Sequence, residues 1–350
     1  MLTKFLIISK QNLIHLLEKL SKKFVIFGPK KQNGNIIIDK INDLSHLVLE
    51  YEGRSLIPPK KFFLPPTEVL FEYEIEKDNI KIWDKLVELK KQKRILIGIK
   101  PCDISSLNIL DKVFIREFHD PYVTTRRQNT IIVGITCETI VDTCFCVFTD
   151  SGPLVREGFD LLLTRIDENY LVEVGSEKGG QLISKFEELF QPAPQEFIRA
   201  REEKMESLIE KISSLVLPNF SEMYDIMVKN FHHEIWKELS NQCLSCGKCN
   251  FVCPTCYCFD VYDDVDLLLK HGKRIRRWDS CHFLSFTRVA SGEVFRKERE
   301  TRIKQRIYHK LVYSVNDIGV ISCVGCGRCI NVCPAGIDIR EIVRELWRGE

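Results

Sequence analysis

The sequence predicts an α/β domain, with a mixed or parallel sheet and flanking helices, followed by a smaller α-helical domain. Three observations carry that division. Up to about residue 190, short β-branched runs alternate with stretches that repeat leucine and isoleucine at helical spacing, the pattern of strands alternating with helices. Pro192 and Pro194 then break the chain, as prolines do between folded units. Beyond residue 240 a cysteine run occurs twice, at Cys243–Pro254 and Cys323–Pro334. The expected units are 1–194, a helical linker over 195–240, and 241–350.

The elements follow in order. Leu13, Leu16, Leu17 and Leu20 predict an amphipathic helix over 11–23. The runs 23–27 and 35–39 read as strands, and 58–66, with four prolines, as an irregular extended segment pinned by Phe62 and Phe63. A docking strap for a partner is the alternative reading of that segment. Ile82, Leu86 and Leu89 predict a helix, and Arg94–Ile99 a buried strand. Lys100-Pro101-Cys102-Asp103 follows, then a helix through Ile104, Leu107, Leu110 and Phe114, with Asp103 as its expected N-cap. Cys102 thus sits where a strand ends and a helix begins, a position whose dipole favours a thiolate. A strand at 130–135 is followed by Cys137 and then by the loop Cys144-Phe145-Cys146. Strands at 160–164 and 170–174 are expected to finish the sheet, and Gly179-Gly180 to open a helix.

The parallel strands of such a sheet end on one edge, so Cys102, Cys137, Cys144 and Cys146 are expected in one crevice. They either complete a third [4Fe-4S] site or are buried structural thiols. Their placement at strand ends favours the cluster.

The duplicated run reads Cys243-x2-Cys246-x2-Cys249-x3-Cys253-Pro254 and Cys323-x2-Cys326-x2-Cys329-x3-Cys333-Pro334, the bacterial-type iron–sulfur pattern. Three thiolates on one tight loop hold one cube, and the fourth reaches the other cluster. One [4Fe-4S] cluster is therefore assigned to Cys243, Cys246, Cys249 and Cys333, the second to Cys253, Cys323, Cys326 and Cys329. Gly247 and Gly327 would let the backbone approach the sulfides. Zinc knuckles use separated cysteine pairs, and disulfides do not persist in a reducing cytosol. The insert 254–322 looks helical, with Val265–Leu269 ending at a His271-Gly272 C-cap, a long basic helix over 293–313, and a last helix bearing Ile339, Ile342, Val343 and Leu346 behind an Asp338/Glu341 capping box. Cys256, Cys258 and Cys281 stay outside the ligand sets. They sit beside a cluster, are redox-active, recruit an outside ligand, or simply pack. Lys273, Arg274, Arg276 and Arg277 form a basic run, read as a solvated face, a docking face, or cations near a cluster. His232 and His233 read as surface or packing residues.

Composition excludes several classes. A net charge of +2 in 350 residues does not suggest a nucleic-acid partner. No apolar run approaches the ~18 residues of a membrane span. The segment 1–8 lacks a leader's cleavage site. With fifteen cysteines, a cytoplasmic, metal-binding protein is expected. There is no G-x-G-x-x-G after a strand and no P-loop, so no nucleotide site is read.

Lys100-Pro101-Cys102-Asp103, Cys144-Phe145-Cys146, Gly158-Phe159-Asp160-Leu161, the run 172–177, Cys253-Pro254-Thr255-Cys256-Tyr257-Cys258 and Trp278-Asp279-Ser280-Cys281 occur in this order. Together with the duplicated run, they resemble the beta subunit of sulfhydrogenases, soluble nickel–iron hydrogenases. The electron-transfer subunit of anaerobic sulfite reductase is similar. The resemblance covers nearly the whole chain. It implies an electron relay between a flavin-containing NAD(P)H-oxidoreductase subunit on one side and a catalytic metalloenzyme subunit on the other, with a nickel–iron hydrogenase favoured. It also implies a further cluster at the Cys102 set. The alternatives are a sirohaem sulfite reductase or heterodisulfide-reductase-like assembly, a self-contained iron–sulfur enzyme using an open cluster or Cys256, Cys258 and Cys281, and a redox sensor, for which no DNA-binding region is evident.

Overall fold

The computed structural model describes residues 5–77, 79–115 and 119–349. Residues 1–4 of the segment compared above with a leader lie outside these, and the rest of it belongs to the first strand. The strands in chain order are β1 Phe5–Ser9, β2 Val25–Gln32, β3 Asn35–Lys40, β4 Thr67–Glu76, β5 Asn79–Asp84, β6 Arg94–Ile99, β7 Thr130–Ile135, β8 Leu161–Ile166, β9 Asn169–Val174, β10 Gln191–Pro192, β11 Phe259–Val265 and β12 His271–Trp278.

The main sheet runs β10-β1-β9-β8-β7-β6-β2-β3. Its centre is parallel: β2 pairs with β6, β6 with β7, and β7 with β8. The outer pairs are antiparallel, so the sheet is mixed. Strands β6 and β7 are buried along their whole length, because helices cover both faces. The helix Lys10–Ser21 packs Leu13, Leu16, Leu17 and Leu20 on one face against Ile95, Val133 and Leu161. The helix Pro101–Phe114 packs Ile104, Leu107 and Leu110 on the other against Leu96, Ile132 and Leu162. Strands β8 and β9 do not finish the sheet, since β1 inserts beyond β9 and β10 closes the edge.

The helix Gln195–Ser213 packs back on the sheet unit through Arg201 to Glu173 at 3.0 Å and Lys204 to Glu138 at 2.7 Å. The helices Phe220–Lys229 and Ile235–Gln242 then join Arg299–Tyr308 and Ile339–Arg348 around a second core that contains Trp236, Tyr308 and Leu346. His232 and His233 are exposed, as expected.

Several expectations need correction. Residues 79–84 form β5, not the start of a helix, and the helix there is confined to Leu86–Lys91. The insert is not wholly helical: β11 and β12 form a hairpin that pairs with β4, giving a second sheet of order β11-β12-β4-β5. Leu267–Leu269 are its exposed tip, and the backbone N–H of Lys270 donates to the Asp266 carboxylate at 2.8 Å to close the turn. Residues 58–66 contain one 3-10 turn, Pro59–Phe62. The basic helix starts at Arg299 and runs through a π turn to Ile318. The N-cap of the helix after β6 is Lys100, with Asp103 inside its first turn. Asp338 does cap the last helix, but Glu341 pairs with Arg344 rather than closing a box.

Candidate metal centres

Each copy of the duplicated run makes a tight loop followed by one short helix, Lys248–Phe251 or Arg328–Val332. Gly247 and Gly327 begin those helices at φ 73° and 66°, a region that costs a side-chain-bearing residue strain. A Cβ on Gly327 would lie 2.2 Å from the Thr143 carbonyl oxygen. The space that glycine leaves is therefore filled by the neighbouring loop, in addition to any approach to sulfides.

Three cavities are lined by these cysteines. The first is bounded by Cys243, Cys246, Cys249 and Cys333, together with Cys329. The second is bounded by Cys253, Cys323, Cys326 and Cys329. Cys253 and Cys333 thus each lie with the other run's triplet. The third is bounded by Cys102, Cys137, Cys144 and Cys146, with Cys326 in its wall. The crevice expected at the strand ends is present, and the loop carrying Cys326 closes it. Cys329 borders the first and second cavities and Cys326 the second and third, so the three stand in series.

Two contacts fix the third cavity against the second. The Phe145 N–H donates to the Gly325 carbonyl at 2.8 Å, and a Cβ on Gly325 would sit 2.5 Å from the Cys146 backbone. Arg328, beside Cys329, forms a bidentate pair with Asp103, beside Cys102, at 2.7 and 2.9 Å. Both side chains are within 1% of full burial. Breaking one side of such a pair costs about 3–5 kcal/mol, because a buried charge loses its partner.

The electrostatics fit anionic groups in the cavities. Arg306 lines the first two cavities and is 5% exposed. Its Nε has no hydrogen-bond partner among the described residues, and the sulfurs of Cys249, Cys329, Cys256 and Cys253 lie around it. Lys310, 1% exposed in the second cavity, donates to the Thr255 carbonyl and hydroxyl oxygens, at 3.0 and 3.1 Å. Lys100 and Arg54 line the third cavity. Lys100 Nζ donates to the Thr136 carbonyl at 3.2 Å, and Arg54 reaches the Cys144 sulfur at 3.9 Å. A buried cation on neutral partners is costly unless an anion lies nearby, and four thiolates on a cube supply one.

Burial holds several of the cavity thiols protonated, whereas the hydrogen bond from Cys256, with Lys310 and Arg306 adding, holds Cys253 well below the usual thiol range. Burial pushes Cys323 up to about 12 and Cys137 up to about 11. Burial, with the Asp103 carboxylate adding, holds Cys102 well above the usual thiol range. This corrects the expectation of a thiolate at the helix start: deprotonation there requires a bound metal. His282 also faces the first cavity, and its Nδ1 has no partner among the described residues. Burial, with Arg306 and Arg302 adding, lowers it to about 4, so the ring is neutral at pH 7. Among the described residues no three His, Cys, Asp or Glu side chains are placed to hold a single metal ion.

The basic run is not among the cations at these cavities. Arg276 is buried on Glu68 at 2.6 Å and on Asp120, and Arg274 pairs with Asp263 at 2.6 Å, so both hold the second sheet together. Arg306, Lys310, Lys100, Arg54 and His282 had no signal in the sequence beyond charge or a place near a motif.

Residues 242–337 match the family described as 4Fe-4S dicluster domain. The chain is 33% identical over 324 residues to Sulfhydrogenase 2 subunit beta of Pyrococcus furiosus, covering 93% of this chain and 92% of that protein. The chain belongs to the sulfhydrogenase beta-subunit family. It is also 25% identical over 181 residues to the F420-dependent formate dehydrogenase subunit beta of Methanocaldococcus jannaschii, across 50% of this chain and 38% of that one. As a sulfhydrogenase-beta family member with the dicluster domain, it carries two [4Fe-4S] clusters. No helix among the described residues is long and apolar enough to cross a membrane.

Proposed function

We propose that the chain is the iron–sulfur wire of an oxidoreductase complex. It relays electrons from a flavin-containing NAD(P)H-oxidoreductase subunit to a catalytic metalloenzyme subunit, or the reverse, with a nickel–iron hydrogenase favoured. One cluster is held by Cys243, Cys246, Cys249 and Cys333, the second by Cys253, Cys323, Cys326 and Cys329, and a third by Cys102, Cys137, Cys144 and Cys146. The observation that carries this reading is the series of three thiol-lined cavities joined through Cys329 and Cys326.

Bound clusters supply one-electron storage. The chain's own part is to fix their order, exclude water and compensate their charge. Arg306 serves the first two sites and Lys310 the second, while Lys100 and Arg54 serve the third. Cations so placed stabilise the reduced form and raise the potential. The absence of a nucleotide motif in the sequence fits a conductor between partners.

The test is made on the chain isolated alone and within its complex. The lone chain should accept electrons from dithionite, bleaching its iron–sulfur absorbance, yet turn over neither NADPH, hydrogen nor sulfite. The complex should contain a flavoprotein and a metal-containing large subunit. Turnover by the lone chain would overturn the relay reading.

A further inference from the structure

Cys256, Cys258 and Cys281 belong to none of the three ligand sets, yet the fold gathers them. Cys258 precedes β11, Cys281 follows β12, and the pair Phe259–Trp278 joins the two strands at that end of the hairpin. The Asp279 N–H donates to the Cys258 carbonyl at 2.9 Å. The Cys258 thiol in turn hydrogen-bonds to the Cys281 sulfur. Cys281 is buried and Cys258 half-buried.

This pair is wired to the first centre by one side chain. Asn250, 1% exposed, donates through Nδ2 to the Cys281 sulfur at 3.1 Å, and its Oδ1 lies 3.7 Å from the Cys249 sulfur. Lys60, also buried, donates to the carbonyl oxygens of Cys256 at 2.7 Å and Asn250 at 3.4 Å. The Cys258 thiol therefore lies near a buried ammonium, and the Cys281 sulfur lies one amide away from a cluster ligand.

We propose that Cys258 and Cys281 are a redox-active dithiol–disulfide pair that stores two electrons beside the Cys249 centre. In the oxidative step the two S–H bonds break and one S–S bond forms. Two electrons leave, one to each of two oxidised [4Fe-4S] clusters of this chain, and two protons leave to water at the part-exposed Cys258. The reverse step takes two electrons and two protons. Such a pair lets a one-electron wire hold a two-electron equivalent. The chemistry suits the site: the hydrogen bond from Cys258, with that from Asn250 adding, holds Cys281 below the usual thiol range, giving the thiolate character that redox thiols need. The electron acceptors rest on the cluster reading above.

The test is a reductive titration of the full chain with its clusters, paired with differential alkylation. After oxidation, iodoacetamide should leave Cys258 and Cys281 unlabelled, and both should label once dithiothreitol is added. The wild type should take up about two electrons more than C258S or C281S, with iron per chain unchanged in both variants. Equal electron counts in all three proteins would overturn the pair. So would a loss of about four irons in C258S, which would make Cys258 a ligand. A wild type without iron would sink the cluster reading instead, while the alkylation pattern would still decide the pair.

Discussion

Arg306 is the residue on which the electrostatics of the two C-terminal centres converge. It is buried between Cys249 and Cys329 with its Nε unpartnered among the described residues. Its charge is unaffected by ordinary pH. An added electron on either cluster is therefore stabilised by a fixed positive charge. At an effective dielectric near 20 that attraction is worth roughly 1–2 kcal/mol at cluster distances. Arg306→Met should therefore shift the potential of at least one cluster negative by roughly 40–90 mV, read by electron paramagnetic resonance of poised samples. An unchanged potential would mean that the cation is solvated rather than coupled to a cluster. In the sequence Arg306 looks like part of a solvated basic face, because the helix 299–308 is rich in charge. Only the fold brings Cys253, Cys329 and Cys249 to its inner side.

At the scale of elements, the structure depends on two loops stacked without side chains between them. Gly325 at φ 55° lies against the Cys146 backbone, and Gly327 against Thr143. Gly325→Ala must push the Cys144–Cys146 loop away, so it should lower iron per chain and loosen the third centre while leaving the first intact. Iron analysis and the first centre's resonance signal check this together. The same level shows what the sequence could and could not convey. Strands β6 and β7 and the helix after β6 are legible because buried parallel strands read as continuous apolar runs. The cysteine loops are legible because a triplet on one loop is a local pattern. The hairpin β11–β12 is not. Its partner β4 lies some two hundred residues earlier, as in Ile275 opposite Val69, and the leucines at its tip imitate a helix. Asp103 imitates a cap because its partner Arg328 is equally distant.

For the whole molecule, the domains are interlocked rather than strung along a linker. The second sheet is built from both halves of the chain, the helix 195–213 returns to the main sheet, and the Arg328–Asp103 pair ties the second cysteine loop to the Cys102 set. That interlock is what places the Cys102 set in line with the cavities of the duplicated run, and under the proposed relay it would make the α/β domain one end of the wire. Iron and acid-labile sulfide per chain, measured in the wild type and in the Cys102→Ser/Cys137→Ser double variant, test this most directly. The account predicts about twelve irons in the wild type and about eight in the variant, with the two remaining clusters still reducible. About eight irons in both proteins would contradict it.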